Sequence, residues 1–213
     1  MSGITWLGHG SFQIDTSAGA SILIDPWITG NPSWPEGLAV DRCDAILLTH
    51  GHGDHVGSLD ELKGTLGAEV QVLMPELDAR IHAGEKVVDG KLKGSWPTLS
   101  TVPDVRLTHG DRVGSLEVIP SPGHTPGHVA FLDTRDRTLI AGDVFTTFGS
   151  VQVTNHFYWR FPLAAMATND KPQDLASARA LRALDPALLV VGHGGAVRAP
   201  GTQMDAAIRR AEG

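Results

Sequence analysis

Short apolar runs open the chain at Ile4–Leu7, Ser11–Asp15, Ser21–Asp25 and Ala45–Thr49, set apart by Gly and Pro. Their Ile, Val, Leu and Phe content predicts strands of a largely buried sheet. The segment Ser58–Leu66 changes period, with Leu59, Leu62 and Leu66 at spacings of three and four, which predicts a helix. Val70–Leu73 then reads as a strand and Leu77–His82 as a short helix. A second set of strands is predicted at Arg106–Thr108, Arg112–Val113 and Leu116–Pro120. Val129–Leu132 and Thr138–Ala141 suggest a hairpin, because the four residues Thr134 to Arg137 are polar. The amphipathic helix Asp174–Leu184, the buried strand Leu188–Val191 and the helix Met204–Ala211 follow. Gly84–Pro103 and Val144–Lys171 show no period; irregular stretches this long are lids, binding loops or surface excursions. Strands then helices, in two successive halves, predict a layered α/β arrangement in one domain spanning 1–213.

Within this pattern the chemistry gathers just past strand ends. Thr49-His50-Gly51-His52-Gly53-Asp54-His55 follows an apolar strand and precedes a helix. Three imidazoles and a carboxylate crowd one glycine-permitted bend, a donor mixture that suits borderline metals such as zinc. His124 lies directly after Leu116–Pro120, Asp143 after the apolar Leu139–Ala141, and His193 after Leu188–Val191. Neighbouring glycines let the backbone turn sharply at each. Asp25 ends a strand and is a candidate hydrogen-bond partner for a ligand histidine. His9, in a Gly-His-Gly turn, and His156 and Tyr158, in the aromatic stretch Asn155–Phe161, are candidates for lining a substrate pocket. His128 reads as turn packing, His82 and His109 as ordinary surface or loop residues, and Cys43 as a small buried hydrophobe.

These residues resemble the metallo-β-lactamase superfamily, through the His-x-His-x-Asp-His element above all, and the resemblance runs from the opening strands to His193. Trp6-Leu7-Gly8-His9-Gly10-Ser11-Phe12 and Leu23-Ile24-Asp25-Pro26 are similar to members with uncharacterised hydrolase activity. The resemblance implies a four-layer αββα sandwich with a binuclear metal site. It assigns His50, His52 and His124 to one divalent ion and Asp54, His55 and His193 to a second, with Asp143 bridging. Zinc is the first expectation, with manganese or iron as alternatives. Two such ions acidify a shared water and polarise a scissile carbonyl or phosphoryl oxygen; Asp54 would also orient the nucleophile. The implied activity is hydrolysis of a small ester, thioester or lactone. Alternatives within the superfamily are a phosphodiesterase or other hydrolase, and a mononuclear iron persulfide dioxygenase using His50, His124 and Asp143. The Gly-Arg-Thr-Asp stretch of those dioxygenases is replaced here by Val144-Phe145-Thr146-Thr147. A closed structural metal site needs four ligands, so seven candidates favour catalysis over a binding module.

Composition narrows the partners. The formal net charge of -7 denies the chain the broad positive field that nonspecific nucleic-acid binding requires. No apolar run approaches the roughly 18–20 residues that span a bilayer, and no secretory signal opens the chain. The single cysteine excludes an internal disulfide. A soluble cytoplasmic protein acting on a small molecule, with a homodimer left open, is the expectation.

Overall fold

The computed structural model describes residues 3–16 and 18–213. The chain divides into two compact units, Met1–Glu85 with Trp96–Leu107, and Lys86–Ser95 with Thr108–Gly213.

The first unit is a six-stranded sheet in simple chain order: β1 (Gly3–Trp6), β2 (Phe12–Asp15), β3 (Ser21–Ile24), β4 (Ala45–Leu47), β5 (Gln71–Pro75) and β6 (Val105–Leu107). β1 to β3 pair antiparallel and β3 to β6 parallel. β3, Ser-Ile-Leu-Ile, is buried at every position and so shows no alternation, whereas β2 alternates buried and less buried residues. Helices α1 (Gly53–Val56), α2 (Leu59–Leu66) and α3 (Glu76–His82) complete the unit. Leu23, Ile46, Leu48, Val72 and Met74 pack with Val56, Leu59, Leu62 and Ala79 in one core. Burying each such Leu or Ile contributes about 1.5–3 kcal/mol. Cys43 is buried at its edge. Because β3, β4 and β5 are parallel neighbours, their carboxyl ends share one edge, and Asp25, His50 and α3 all leave from it.

The second unit holds β7 (Arg112–Val113), β8 (Leu116–Pro120), β9 (Val129–Asp133), β10 (Thr138–Ile140), the small pair β11 (Phe145–Thr146) and β12 (Gln152–Val153), helices α4 (Pro162–Ala167) and α5 (Lys171–Ala183), then β13 (Leu188–Val190), β14 (Val197–Arg198) and α6 (Gly201–Glu212). Its main sheet runs β14-β13-β10-β9-β8-β7. β10 is parallel to β13, and β9 is antiparallel to both β10 and β8, so β8, β10 and β13 end at the same edge. His124, Asp143 and His193 follow those three ends. The core joins Ala130, Leu132, Leu139 and Leu189 to Ala178 and Leu181 of α5 and Met204, Ala207 and Ile208 of α6.

Differences from the expected elements have local causes. α5 begins three residues before the apolar period does, because the Asp170 side chain accepts from Gln173 N at 3.0 Å and Pro172 suits the first turn. Val144–Lys171 contains β11, β12 and α4; strands of two residues are too short for any period. Gly84–Pro103 forms no helix or strand, yet it is pinned within each unit. Lys93 Nζ donates to Thr168 O (2.9 Å) and Asn169 O (3.1 Å), while Ser100 N and Thr101 N each donate to Asp60 at 2.8 Å. Among the described residues no helix is long and apolar enough to cross a membrane.

Candidate metal centre

In the first unit, Leu48 N still bonds Leu73 O at 2.9 Å, so sheet pairing carries the backbone to the loop that holds His50, His52 and His55. His50, His52 and His55 are all buried. The His50 ring centroid lies 4.0 Å from that of His55 and 4.9 Å from that of His52. Asp54 occupies the first turn of α1 and is half-buried.

Asp25 organises this loop. Its carboxylate accepts from Thr49 N (2.7 Å), Thr49 Oγ1 (2.5 Å) and His55 Nδ1 (2.9 Å). Since the Thr49 hydroxyl proton is committed to Asp25, Oγ1 accepts from His50 Nδ1 at 3.0 Å. In that arrangement both imidazoles carry their proton on Nδ1, which places the lone pair that could bind a metal on Nε2. Ligand atoms of Asp25, His50 and His55 all lie within 4.8 Å of one another. We assign Asp25 to support rather than ligation, because its oxygens are engaged by these donors. Burial raises the pKa of the Asp25 carboxyl above the usual carboxylate range, and the His55 and Thr49 contacts offset only part of that rise. Asp25 adopts φ 48°, and Ser11 Oγ, which donates to Asp25 O at 2.8 Å and accepts from Trp27 N at 3.0 Å, stitches the opening turn to this strained corner.

In the second unit, one carboxylate oxygen stands between two imidazoles. Asp143 Oδ2 lies 3.5 Å from His124 Nε2 and 3.1 Å from His193 Nε2, all three residues being buried. Thr168 Oγ1 has the carbonyls of Ala164 (2.8 Å) and Thr154 (3.0 Å) as acceptors for its one proton, so it accepts from His124 Nδ1 at 3.0 Å and again places the lone pair that could bind a metal on Nε2. His193 is held through its carbonyl, which accepts from Thr146 Oγ1 (2.8 Å) and Thr147 N (3.0 Å), and Phe161 packs 4.7 Å from its ring.

Two residues have larger parts than their sequence context suggested. His128 does sit in the turn after β8, but its Nε2 also accepts from Asp143 N at 3.0 Å while Nδ1 meets Ser121 Oγ at 2.9 Å. Asp174 is buried beneath Gly123 and meets Thr154 Oγ1 at 3.1 Å. Burial raises its pKa well above the usual carboxylate range, with the Asp143 charge adding to the effect. Thr154 Oγ1 donates to Asp143 O at 2.6 Å, so the neutral acid form of Asp174 is the one able to donate to that hydroxyl.

His82 is not an ordinary surface residue. It is half-buried, with Nε2 2.9 Å from Gly51 O and Nδ1 3.1 Å from Pro97 O. His9 stacks on Trp27 at 4.7 Å with φ 45°, and its carbonyl accepts from Trp6 Nε1 at 2.7 Å. His156 meets Asn155 Oδ1 at 3.3 Å; burial and the Arg210 and Lys171 charges lower its pKa, which puts it on the α5–α6 side of its unit. Tyr158 lies against Gly149 beside Arg160, and its neighbours Phe157 and Trp159 are exposed rather than packed in a core.

The donor set fits a borderline divalent cation: imidazole nitrogens with fixed tautomers, plus carboxylate oxygens, at the ends of rigid strands. The profile of the metallo-β-lactamase superfamily matches residues 5–193. A UPF0173 metal-dependent hydrolase of Koribacter versatilis is 32% identical over 200 residues, covering 90% of this chain and 84% of the relative. The uncharacterized protein YobT of Bacillus subtilis is 43% identical over 173 residues, covering 78% and 74%. Among solved structures, TTHA1623 in a di-iron-bound form superposes with a TM-score of 0.63 at 27% identity, covering 94% of this chain and 96% of that one. BLEG-1 B3 metallo-β-lactamase superposes with a TM-score of 0.65 at 22% identity, covering 96% and 97%. This chain belongs to the metallo-β-lactamase superfamily and has its α/β fold. Within the superfamily it falls among the UPF0173 metal-dependent hydrolases.

Proposed function

We propose that the protein uses two divalent ions to hydrolyse a small ester, thioester or lactone. The observation that carries this reading is the Asp143 carboxylate oxygen flanked by His124 Nε2 and His193 Nε2 at 3.5 and 3.1 Å, the arrangement a bridging carboxylate needs. In this proposal His50, His52 and His124 hold one ion, Asp54, His55 and His193 hold the other, and Asp143 serves both. When bound, such ions supply Lewis acidity toward the scissile carbonyl and a water acidified to near neutral pH. Asp54 orients that water by accepting its hydrogen bond. Asp25, Thr49 and Thr168 keep the imidazoles in the ligating tautomer, and the His128 ring holds the Asp143 backbone in place. Phe161 beside His193, with Phe148 5.1 Å from Phe161, offers an apolar flank that suits an uncharged acyl group. Zinc is the proposed metal; the di-iron form of TTHA1623 makes iron the competitor.

Elemental analysis of the untreated protein, followed by a panel of esters, thioesters and lactones with metal-reconstituted protein, tests this. Two ions per chain and turnover at least a hundredfold above Asp54→Ala are expected. One iron with oxygen uptake would replace hydrolysis by the dioxygenase reading. No turnover above the Asp54→Ala control on any substrate removes the proposal.

A further inference from the structure

Helix α3 carries a pair of side chains that grip the ligand loop. Gly51 N donates to Asp78 Oδ2 at 2.8 Å, and His82 Nε2 lies 2.9 Å from Gly51 O, a hydrogen bond in the tautomer that carries the ring proton on Nε2. Asp78 and His82 are four residues apart and so share one face of the helix. The two bonds fall on consecutive peptide planes, the one joining His50 to Gly51 and the one joining Gly51 to His52. Sheet topology brings the helix there: α3 continues directly from β5, the parallel neighbour of β4, whose end leads into the loop. Gly51 has no room for a side chain in this grip, since a Cβ would lie 2.7 Å from His82 Nε2 and 2.6 Å from the Trp96 ring. That ring in turn stands edge-on to His52 at 5.2 Å, and His82 Nδ1 faces Pro97 O beside it. Asp78 is fully buried. A buried carboxylate and an imidazole converging on a single glycine exceed what capping a seven-residue helix requires.

We infer that Asp78 and His82 are positioning residues: they lock both peptide planes around Gly51 and thereby set the direction in which His50 and His52 present their nitrogens. The inference rests on the reading of His50 and His52 as metal ligands, while the grip itself can be measured without any metal. Neither residue need touch substrate or ion.

The test uses full-length protein with Zn²⁺ as the probe. Dissociation constants are measured by competition with a chromophoric chelator, and Gly51 amide exchange is followed by NMR in the metal-free protein. His82→Ala should weaken Zn²⁺ binding about 10- to 100-fold, the range expected for residues that orient ligands. It should also speed Gly51 exchange at least about tenfold while β9 amides keep wild-type rates. His82→Gln, which retains a donor for Gly51 O, should recover most of both losses. Asp78→Asn, which retains an acceptor, stands in for Asp78→Ala if the latter does not fold, and should be intermediate. Folded His82→Ala with wild-type Zn²⁺ affinity and wild-type Gly51 exchange overturns the inference, as does an acceleration shared equally by the β9 amides. If the wild-type chain binds no Zn²⁺, the ligand reading fails by itself, and Gly51 exchange alone decides whether the grip exists.

Discussion

Gly123 immediately precedes His124, and replacing it with alanine probes how tightly the backbone of that proposed ligand is held. Its φ is +136°, a region open in practice only to glycine. An added Cβ would sit 2.2 Å from Asp174 N and 2.4 Å from Asp174 Cα, both backbone atoms of α5. The strained φ costs about 1–3 kcal/mol. Forcing the overlap apart costs about 1–3 kcal/mol more, as for other overpacked sites. The sum, about 2–6 kcal/mol, corresponds to roughly 5–20 °C in melting temperature for a chain of this size. Gly110→Ala separates the two contributions, because Gly110 has φ +83° and nothing within 4 Å of its Cβ position. That variant should lose only the backbone cost of about 1–2 kcal/mol. Calorimetry or urea denaturation of the metal-free proteins gives both values. If Gly123→Ala loses no more stability than Gly110→Ala, the close approach of α5 to this loop is not what demands a glycine.

Three further outcomes are expected. Burial opposes the charge on Asp60, but the hydrogen bonds from Ser100 and Thr101 outweigh it and lower its pKa to about 2. Its stabilising contribution is therefore complete above the unfolded value of 3.8 and lost as pH falls toward about 2, so urea midpoints of Asp60→Asn and wild type should converge in that window and differ at neutral pH. Asp174 has the opposite sign: its folded pKa is raised, so its contribution is present below the unfolded 3.8 and diminishes as pH rises above it. Asp174→Asn should accordingly stabilise the metal-free protein at pH 7 while conferring no gain at pH 3.5, and destabilisation at pH 7 in chemical denaturation would refute the neutral-acid assignment. Thr168→Val removes the acceptor that fixes His124 Nδ1, and metal competition should show about 10- to 100-fold weaker binding.

The parts of this molecule that repeat a period were legible in the sequence. Leu59, Leu62 and Leu66 marked α2, and the polar residues Thr134 to Arg137 marked the β9–β10 hairpin, because those signals are local. The candidate ligands were legible for a related reason: each follows an apolar run and adjoins glycine, so strand-end chemistry is written in neighbouring letters. What escaped depends on side chains distant in the chain. His82 carries no local mark of its bond to Gly51, 31 residues earlier, although the Asp78–His82 spacing on a helix that follows a strand was an available clue. Asp174 looks like any acid in an amphipathic helix until the packing of Gly123 against it is known. The tautomers of His50 and His124 follow from Thr49 and Thr168, whose hydroxyls have no sequence signature of that duty.

The relay from Asp25 through Thr49 to His50 has a kinetic side. A histidine in solution hops between two neutral forms and rotates freely, so a cation meeting it must wait for the correct face. Here that choice has been made in advance by groups the cation never meets. If His50 serves as the proposed ligand, capture of a cation would need no change of tautomer at that ring, and supply as well as donor type would decide which ion is carried.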